Sequence, residues 1–280
     1  MQTATLAERL GYAADDRLLI VNCDDLGSSH AANVAVEAAL RRGFATSATL
    51  MVPCPWAFAA AKACADLDIG VHLTLTAEYP GYRWRSLTGA ASLHDADGFL
   101  PRTTEEVYAH ADPADARAEC RAQIDQALGW GLDVTHLDSH MGSVQTDARF
   151  FEIYADLAAE YRLPLRMAGA RAEPVLGFAF RRPAAERGCV FPDHLLAPPW
   201  AKATRPVLLD NLARLRPGVT ETFLHPAEDG PELRAYDRSA PDTRAGDYAN
   251  LMDGELAALI EAEGVRLISF RPLRELQRAA

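Results

Sequence analysis

Apolar and polar positions alternate along this chain in blocks whose lengths suit strands and helices in turn. Short apolar runs predict strands at 17–23, 46–52, 69–75, 134–138, 164–167, 220–225 and 265–269. Helical periodicity predicts helices at 30–42, 56–65, 112–131, 147–161 and 245–263. The stretch 170–206 follows neither pattern. Strands that alternate with helices indicate a mainly parallel sheet.

We therefore predict an α/β fold, built as a distorted or incomplete (β/α) barrel. The alternative is a doubly wound open sheet, but the first predicted strand is not followed by the G-x-G-x-x-G turn of its dinucleotide-binding form. No repeat or linker divides the chain, which predicts one domain over 1–280 that includes an N-terminal extension at 1–16. Residues 78–103 are rich in Gly, Pro, Tyr and Trp, so we expect an irregular insertion near the site.

Composition excludes some classes of protein without choosing a function. The net charge is −11 and the basic residues form no run, which argues against nucleic-acid and anionic-membrane partners. No stretch approaches the ~20 apolar residues of a membrane span. Residues 1–16 lack the features of a secretory signal. The five cysteines are odd in number and have no CxxC spacing, so we expect a reducing, cytoplasmic location without a disulfide framework.

Two adjacent carboxylates, Asp24 and Asp25, follow the first predicted strand. Adjacent carboxylates repel, so a site uses them differently or places a cation between them. Because neighbours in an extended strand point to opposite faces, a turn assisted by Gly27 is needed before both can face one pocket. The alternative interpretation is a strand followed by a helix that Ser28 or Ser29 caps.

Histidines interrupt two later strands. His72 lies within an apolar run, where it is either a metal ligand or a histidine satisfied in the core. His136, Asp138 and His140 lie within five residues at a strand end. We assign His140 as a ligand, because barrel active sites gather where strands exit, and His136 as structural. Asp138 is expected to orient a ligand or the substrate, although a merely polar strand end is the alternative.

His225 closes another predicted strand, and Pro226 fixes the turn after it. A histidine in this place can donate a proton. Because the strand ends of a barrel open onto one face, the aspartate pair and the three histidines His72, His140 and His225 would meet there. One Asp and two His, completed by water, suit a hydrolytic divalent metal such as Zn, Mg, Mn or Co.

Together, these motifs resemble the YdjC-like (ChbG/HpnK-type) carbohydrate deacetylases. The matching segments occur in the family's order between Leu18 and Leu273: LLIVNCDDLG, GVHLTLT, THLDSH, LPLR and HP. The resemblance implies a distorted (β/α) barrel that hydrolyses the acetamido group of a sugar and releases acetate. It implies that Asp25, His72 and His140 bind one divalent metal, Mg or Zn. It also implies that Asp24 is the general base and His225 the general acid.

Four further residues are candidates for substrate contact: Arg166, Asp138, Tyr82 and Trp84. Arg166 matches a recurring arginine of the family, and the aromatic side chains could either stack on a sugar ring or pack locally. The sequence departs from the family after His140, where Met141 begins a segment that often contains further histidines. This departure affects the expected substrate more than the expected reaction.

The expected partner is an N-acetylated sugar or oligosaccharide, with no nucleic acid and no membrane, and a homo-oligomer is left open. One alternative function is a metal-dependent amidase or esterase that acts on a non-sugar substrate, because a fold and its ligands do not fix the substrate. The other is a non-catalytic sugar-binding protein. Asp24 and His225 argue against it, because a binding protein needs neither a base nor an acid.

Overall fold

The computed structural model describes residues 4–202 and 204–279. Within these residues seven strands form one sheet. The strands are β1 (Arg17–Leu26), β2 (Ser47–Leu50), β3 (Ile69–Leu73), β4 (Leu137–Ser139), β5 (His194–Leu196), β6 (Gly218–Leu224) and β7 (Val265–Leu267). The helices are α1 (Leu6–Arg9), α2 (His30–Arg42), α3 (Ala57–Ala63), α4 (Thr104–His110), α5 (Pro113–Gly129), α6 (Ala148–Tyr161), α7 (Glu173–Leu176), α8 (Arg181–Glu186), α9 (Thr204–Ala213), α10 (Pro231–Tyr236), α11 (Pro241–Leu251), α12 (Gly254–Ala262) and α13 (Arg271–Ala279).

All strand pairings in this sheet are parallel. The order is β4-β3-β2-β1-β6-β5, and β7 pairs with the start of β1. Beyond β4, among the described residues, the sheet continues only through an isolated bridge between Leu137 and Leu165. The N–H of Leu165 in turn donates to the carbonyl of Val190 at 3.0 Å. Val190 precedes β5 by four residues. The sheet therefore curls into an incomplete barrel, which confirms the predicted fold class.

The first strand, β1, has apolar side chains on both faces of the sheet, and both faces are buried. Leu18 and Ile20 belong to one apolar cluster, and Leu19 and Val21 belong to another. All four side chains are at most 3% exposed. Each contributes about 1.5–3 kcal/mol relative to an exposed position, so burial on both faces stabilises the strand that carries the aspartate pair.

Two predicted elements need correction, and one stretch without a prediction contains regular structure. The predicted strand 164–167 makes a single bridge instead of a ladder. The predicted helix 245–263 is two helices, because the Asp253 carboxylate accepts from the backbone N–H groups of Glu255 and Leu256 and starts α12. The stretch 170–206, which showed no pattern, contains α7, α8 and β5 and the start of α9.

The chain between β3 and α4 is irregular, with one 3₁₀ helix at Ala91–Leu93 among its described residues. It is tied to α5 by Glu119, whose buried carboxylate accepts from the N–H groups of Leu87 and Thr88 at 3.0 and 2.9 Å. The segment therefore has a fixed path although it lacks strand pairing. Among the described residues, no helix combines the length and apolar character needed to cross a bilayer.

Candidate active site

A bulge in β1 brings the two adjacent aspartates to one site. Cys23 pairs with Ala48 and Leu26 with Leu50, so β1 has one more residue than β2 between these pairs. Asp25 has φ +65°, a left-handed conformation that Asp adopts more readily than most residues. The predicted turn at Gly27 is therefore preceded by a bulge, and the bulge breaks the strict alternation of side chains.

Three candidate ligand atoms converge above this bulge. Asp25 Oδ1 lies 3.4 Å from His72 Nε2 and 3.2 Å from His140 Nδ1. These three residues are at most 5% exposed, and one ligand atom from each lies within 4.8 Å of the others. His72 comes from β3, and His140 follows β4 in a 3₁₀ helix. The structure thus brings together the three residues that the sequence assigned to the metal.

The arrangement fits a divalent cation. Asp25 Oδ1 is buried and has no hydrogen-bond partner among the described residues. A buried carboxylate oxygen without a hydrogen bond of normal geometry is costly unless a positive charge lies beside it, as the protonated imidazoles or a bound cation would supply. Ligand atoms about 2.0–2.1 Å from a tetrahedral zinc are separated by about 3.4 Å, close to the observed separations. Asp25, His72 and His140 could therefore hold a metal ion.

Each imidazole is oriented by a carboxylate on its other nitrogen. His72 Nδ1 donates to Asp138 Oδ1 at 2.5 Å, and His140 Nε2 donates to Glu78 Oε2 at 2.9 Å. Burial disfavours the charged His72 ring, but Asp138 outweighs burial and raises its pKa to about 10. Burial is likewise outweighed at His140, where Glu78 and Asp25 raise the pKa to about 9. These carboxylates fix which ring nitrogen faces Asp25.

Arg244 from α11 holds the second oxygen of Asp25. Its Nη1 donates to Asp25 Oδ2 at 2.8 Å, its Nε donates to Asp237 at 2.9 Å and its Nη2 donates to the Tyr79 hydroxyl at 2.8 Å. Burial opposes ionisation of Asp25, but Arg244 and the two imidazoles outweigh it and hold the pKa of this carboxyl well below its usual range. Asp25 is therefore fixed as an anion with only Oδ1 directed toward the histidines.

A second cluster surrounds Arg166. Its Nη1 and Nη2 donate to the two oxygens of Asp24 at 2.6 and 2.7 Å, and its Nε donates to Glu221 at 2.7 Å. Nη1 also lies 3.0 Å from Asp138 Oδ2. Burial opposes ionisation of Asp24, but the guanidinium outweighs it and lowers the pKa to about 2. Burial raises the pKa of Glu221 to about 7. Asp24, His72 and Asp138 also lie close enough to share an ion, but the Arg166 guanidinium already pairs with both carboxylates.

His225 lies beside both clusters. Its Nε2 is 3.8 Å from Asp24 Oδ2, and its side chain is 21% exposed. Its backbone N–H donates to Asp247 at 2.9 Å, which fixes the chain where β6 ends. Burial lowers the pKa of the imidazole, so its protonated form is a stronger acid than a free imidazolium. The ring is therefore placed for proton transfer on the solvent side of Asp24.

A cleft with a volume of about 400 Å³ opens over these groups. Its polar lining includes Asp25, Glu78, His140, His225 and Arg244. Its less polar lining includes Tyr79, Met141, Pro198, Trp200 and Phe223. A mostly apolar cleft with a few convergent polar groups is the usual form of a small-molecule site.

The four predicted substrate contacts lie outside this lining. Trp84 is 3% exposed and donates its indole N–H to the carbonyl of Thr76 at 2.8 Å. The Tyr82 hydroxyl donates to the carbonyl of Ser28 at 2.6 Å. The structure thus places both aromatics in local packing, the alternative that the sequence left open. Arg166 and Asp138 contact Asp24 and His72 instead of the cleft.

His136, the other histidine of the HLDSH segment, faces away from the candidate ligands. Its ring stacks on Phe270 with the centroids 3.8 Å apart, and its Nδ1 lies 2.9 Å from Thr135 Oγ1. Burial lowers its pKa well below the usual value, which keeps the ring neutral. This placement agrees with the structural role expected from its position within the strand.

Sequence reasoning missed Glu78, Arg244 and Trp200. Arg244 lies 219 residues from Asp25 along the chain, and a buried arginine in a helix has the same local sequence pattern as an exposed one. Glu78 begins the irregular segment, where no hydrophobic period shows whether a side chain points into the protein or into solvent. For Trp200 the available indication was a tryptophan after two prolines, within the stretch that showed no pattern.

Comparisons with known proteins agree with this geometry. A family model described as YdjC-like protein matches residues 18–262. A carbohydrate deacetylase of Thermus thermophilus is 36% identical over 264 residues, which cover 91% of this chain and 93% of the relative. A carbohydrate deacetylase of Geobacillus stearothermophilus is 33% identical over 264 residues, which cover 93% of this chain and 99% of the relative.

A solved structure from Enterococcus faecalis has the same overall fold. That protein is described as a cellobiose-phosphate cleavage protein. It matches this chain with a TM-score of 0.80 and 25% identity, over 92% of this chain and 99% of the other. The incomplete barrel is therefore shared over nearly the full length of both chains.

Proposed function

Because this chain belongs to the YdjC-like protein family, we propose that it is a metal-dependent carbohydrate deacetylase. It hydrolyses the acetamido group of an N-acetylated sugar to acetate and an amino sugar. The observation that carries this proposal is the convergence of Asp25, His72 and His140 beneath a cleft, with Asp24 and His225 beside them. The names of the two bacterial relatives support the same activity.

In this proposal Asp25, His72 and His140 hold one divalent cation. Bound there, such a cation polarises the amide carbonyl and raises the acidity of water. Of magnesium and zinc, the donor set favours zinc, because imidazole nitrogens suit zinc whereas magnesium prefers oxygen ligands. Asp138 and Glu78 keep the two imidazoles turned toward Asp25.

Asp24 acts as the general base. Arg166 keeps its carboxylate ionised and fixed. Oδ1 accepts from both Arg166 and Asn22, whereas Oδ2 accepts from Arg166 alone among the described residues and retains a second lone pair. Oδ2 also faces His225 at 3.8 Å. Asp24 therefore accepts the proton of the water that attacks the acetamido carbon.

His225 acts as the general acid and protonates the departing sugar amine. An amine expelled from a tetrahedral intermediate needs a proton, whereas p-nitrophenolate does not. His225→Ala should therefore slow amide cleavage by ~10²–10⁴-fold and slow p-nitrophenyl acetate much less, with metal content unchanged. Equal losses on amide and ester would rule out proton donation by His225.

The substrate class is tested by measuring acetate release from N-acetylglucosamine and its oligomers, beside a panel of non-sugar acetamides. The metal is added in molar excess, and Asp25→Ala is the control protein. We expect release from at least one sugar and none from the control. Release from the non-sugar amides alone would favour an amidase, and no release with any divalent metal would favour a binding protein.

A further inference from the structure

We propose that Trp200 is the platform on which the substrate's sugar ring stacks. This inference rests on the proposed function and names a specificity-determining residue of the same site. Trp200 lies between β5 and α9, lines the cleft and is 47% exposed. An indole half-exposed in a cleft offers apolar surface that a ligand can cover, and this contact would contribute to binding.

Trp200 is held by charged and polar groups of the site itself. The Arg244 guanidinium lies over its ring at 5.1 Å, and the His225 ring meets it edge-on with the centroids 4.9 Å apart. Arg244 is in turn fixed by Asp25 and Asp237. The indole is therefore oriented relative to the candidate ligands before any substrate arrives.

The chemistry of the indole fits a sugar ring. The face of an aromatic ring is electron-rich, and a pyranose presents a face of C–H groups that can pack against it. Pro198 and Phe223 line the cleft close to Trp200, and Met141 adds apolar surface elsewhere in the same lining. A flat aromatic side chain with apolar neighbours favours a substrate with a sugar ring over a small acyl amide, which would reach only the candidate metal ligands.

The position of Trp200 indicates which part of the substrate it contacts. It touches His225, the residue assigned to protonate the departing amine. The ring that bears the acetamido group must bring its nitrogen to His225, so this ring lies against the indole. In contrast, Trp84 is buried and already donates its N–H, so it offers no such surface.

The test compares sugar affinities in an Asp24→Asn background, which prevents turnover. Binding of N-acetylglucosamine trimer to the zinc-loaded protein is measured by calorimetry, with Trp200→Ala and Trp200→Phe. Trp56→Ala is the matched control, because Trp56 is 38% exposed and packs against His30, away from the cleft lining. Zinc content is measured for each variant, because Trp200 contacts Arg244.

We expect Trp200→Ala to weaken trimer binding roughly 10-fold, with Trp200→Phe restoring most of the affinity and Trp56→Ala unchanged. If Trp200→Ala binds the trimer as tightly as the parent protein, the stacking role of Trp200 is wrong, while the proposed deacetylase activity is unaffected. Loss of zinc together with sugar in Trp200→Ala would also overturn it, because Trp200 would then act through Arg244. If the parent protein binds no N-acetylated sugar, both proposals are wrong.

Discussion

Two clusters of buried charged side chains lie next to each other in the barrel, and they differ in how their carboxylates are satisfied. Around Arg166, the carboxylates of Asp24, Asp138 and Glu221 all contact one guanidinium. We call this the arginine cluster. Around Asp25, one oxygen accepts from Arg244, while the other faces two imidazole nitrogens at 3.4 and 3.2 Å without a hydrogen bond of normal geometry among the described residues. We call Asp25, His72 and His140 the ligand cluster.

This difference shows how adjacent residues at one strand end can take two roles, Asp24 as a proton acceptor and Asp25 as a metal ligand. A guanidinium supplied by the protein keeps Asp24 charged and immobile, which suits a residue that must accept a proton at a defined place. The ligand cluster instead combines one free carboxylate oxygen with two oriented imidazoles, which suits a divalent cation. The bulge in β1 makes this division possible because it brings both adjacent aspartates to one site, where Asp24 meets Arg166 and Asp25 meets Arg244.

The largest effect should come from removing a member of the ligand cluster. His140→Ala leaves two of three protein ligands, so zinc affinity should fall by more than the ~10–100-fold typical of outer-shell changes. Hydrolysis should fall to background. Glu221→Gln is the matched control in the arginine cluster, and its zinc content should match that of the wild type. Full zinc retention in His140→Ala would break the distinction between the clusters.

Asp24→Asn should separate catalysis from metal binding. The amide keeps the size of the side chain and removes its basicity, so turnover should fall by ~10²–10⁴-fold. Bound zinc, measured by atomic absorption, should remain at the wild-type level. Zinc loss in this variant, with activity restored by excess zinc, would instead place Asp24 among the ligands.

Asp138 joins the two clusters, because it contacts both His72 Nδ1 and Arg166 Nη1. Asp138→Asn weakens the orientation of His72, so zinc affinity should fall by ~10–100-fold. Activity should return when zinc is added in excess, which distinguishes this variant from Asp24→Asn. A persistent loss of activity at saturating zinc would show that Asp138 acts on catalysis directly.

The smallest effect concerns protons displaced by the metal. The raised pKa values, about 10 for His72 and about 9 for His140, mean that both rings are protonated at pH 7 before metal binds. A coordinating imidazole nitrogen must lose its proton, so about two protons should be released and zinc affinity should rise with pH. Between pH 7.0 and 7.5 the gain should be roughly 10-fold. Calorimetry in buffers of different ionisation enthalpy measures the release, and a value near zero would contradict these protonation states.

The sequence predicted the ligand cluster because its members follow apolar strands. In a parallel barrel such ends meet at one face, so strand position places the aspartate pair, His72 and His140 together, and the family resemblance selected Asp25 over Asp24. It also distinguished His140, assigned as a ligand at the strand exit, from His136, assigned a structural role within the strand. The fold class followed from the same alternation of strands and helices.

The remaining parts of the site could not be predicted, because they depend on contacts between distant segments. Arg244 reaches Asp25 from a helix, and Trp200 enters the cleft from a stretch without a period. The aromatic composition of the irregular segment suggested Tyr82 and Trp84 as substrate contacts, but tertiary packing decides which aromatic side chains are exposed. Trp84 is buried there, whereas Trp200 is half-exposed. The bulge at Asp25 likewise has no local sequence pattern that fixes it.

Anomalous diffraction at the zinc edge, from crystals soaked with zinc, shows whether the metal binds the ligand cluster or the arginine cluster. We predict one strong peak about 2.0–2.2 Å from Asp25 Oδ1, His72 Nε2 and His140 Nδ1. Arg166 should remain on Asp24. A peak between Asp24 and Asp138 with Arg166 displaced, or no peak within reach of Asp25, would contradict the account.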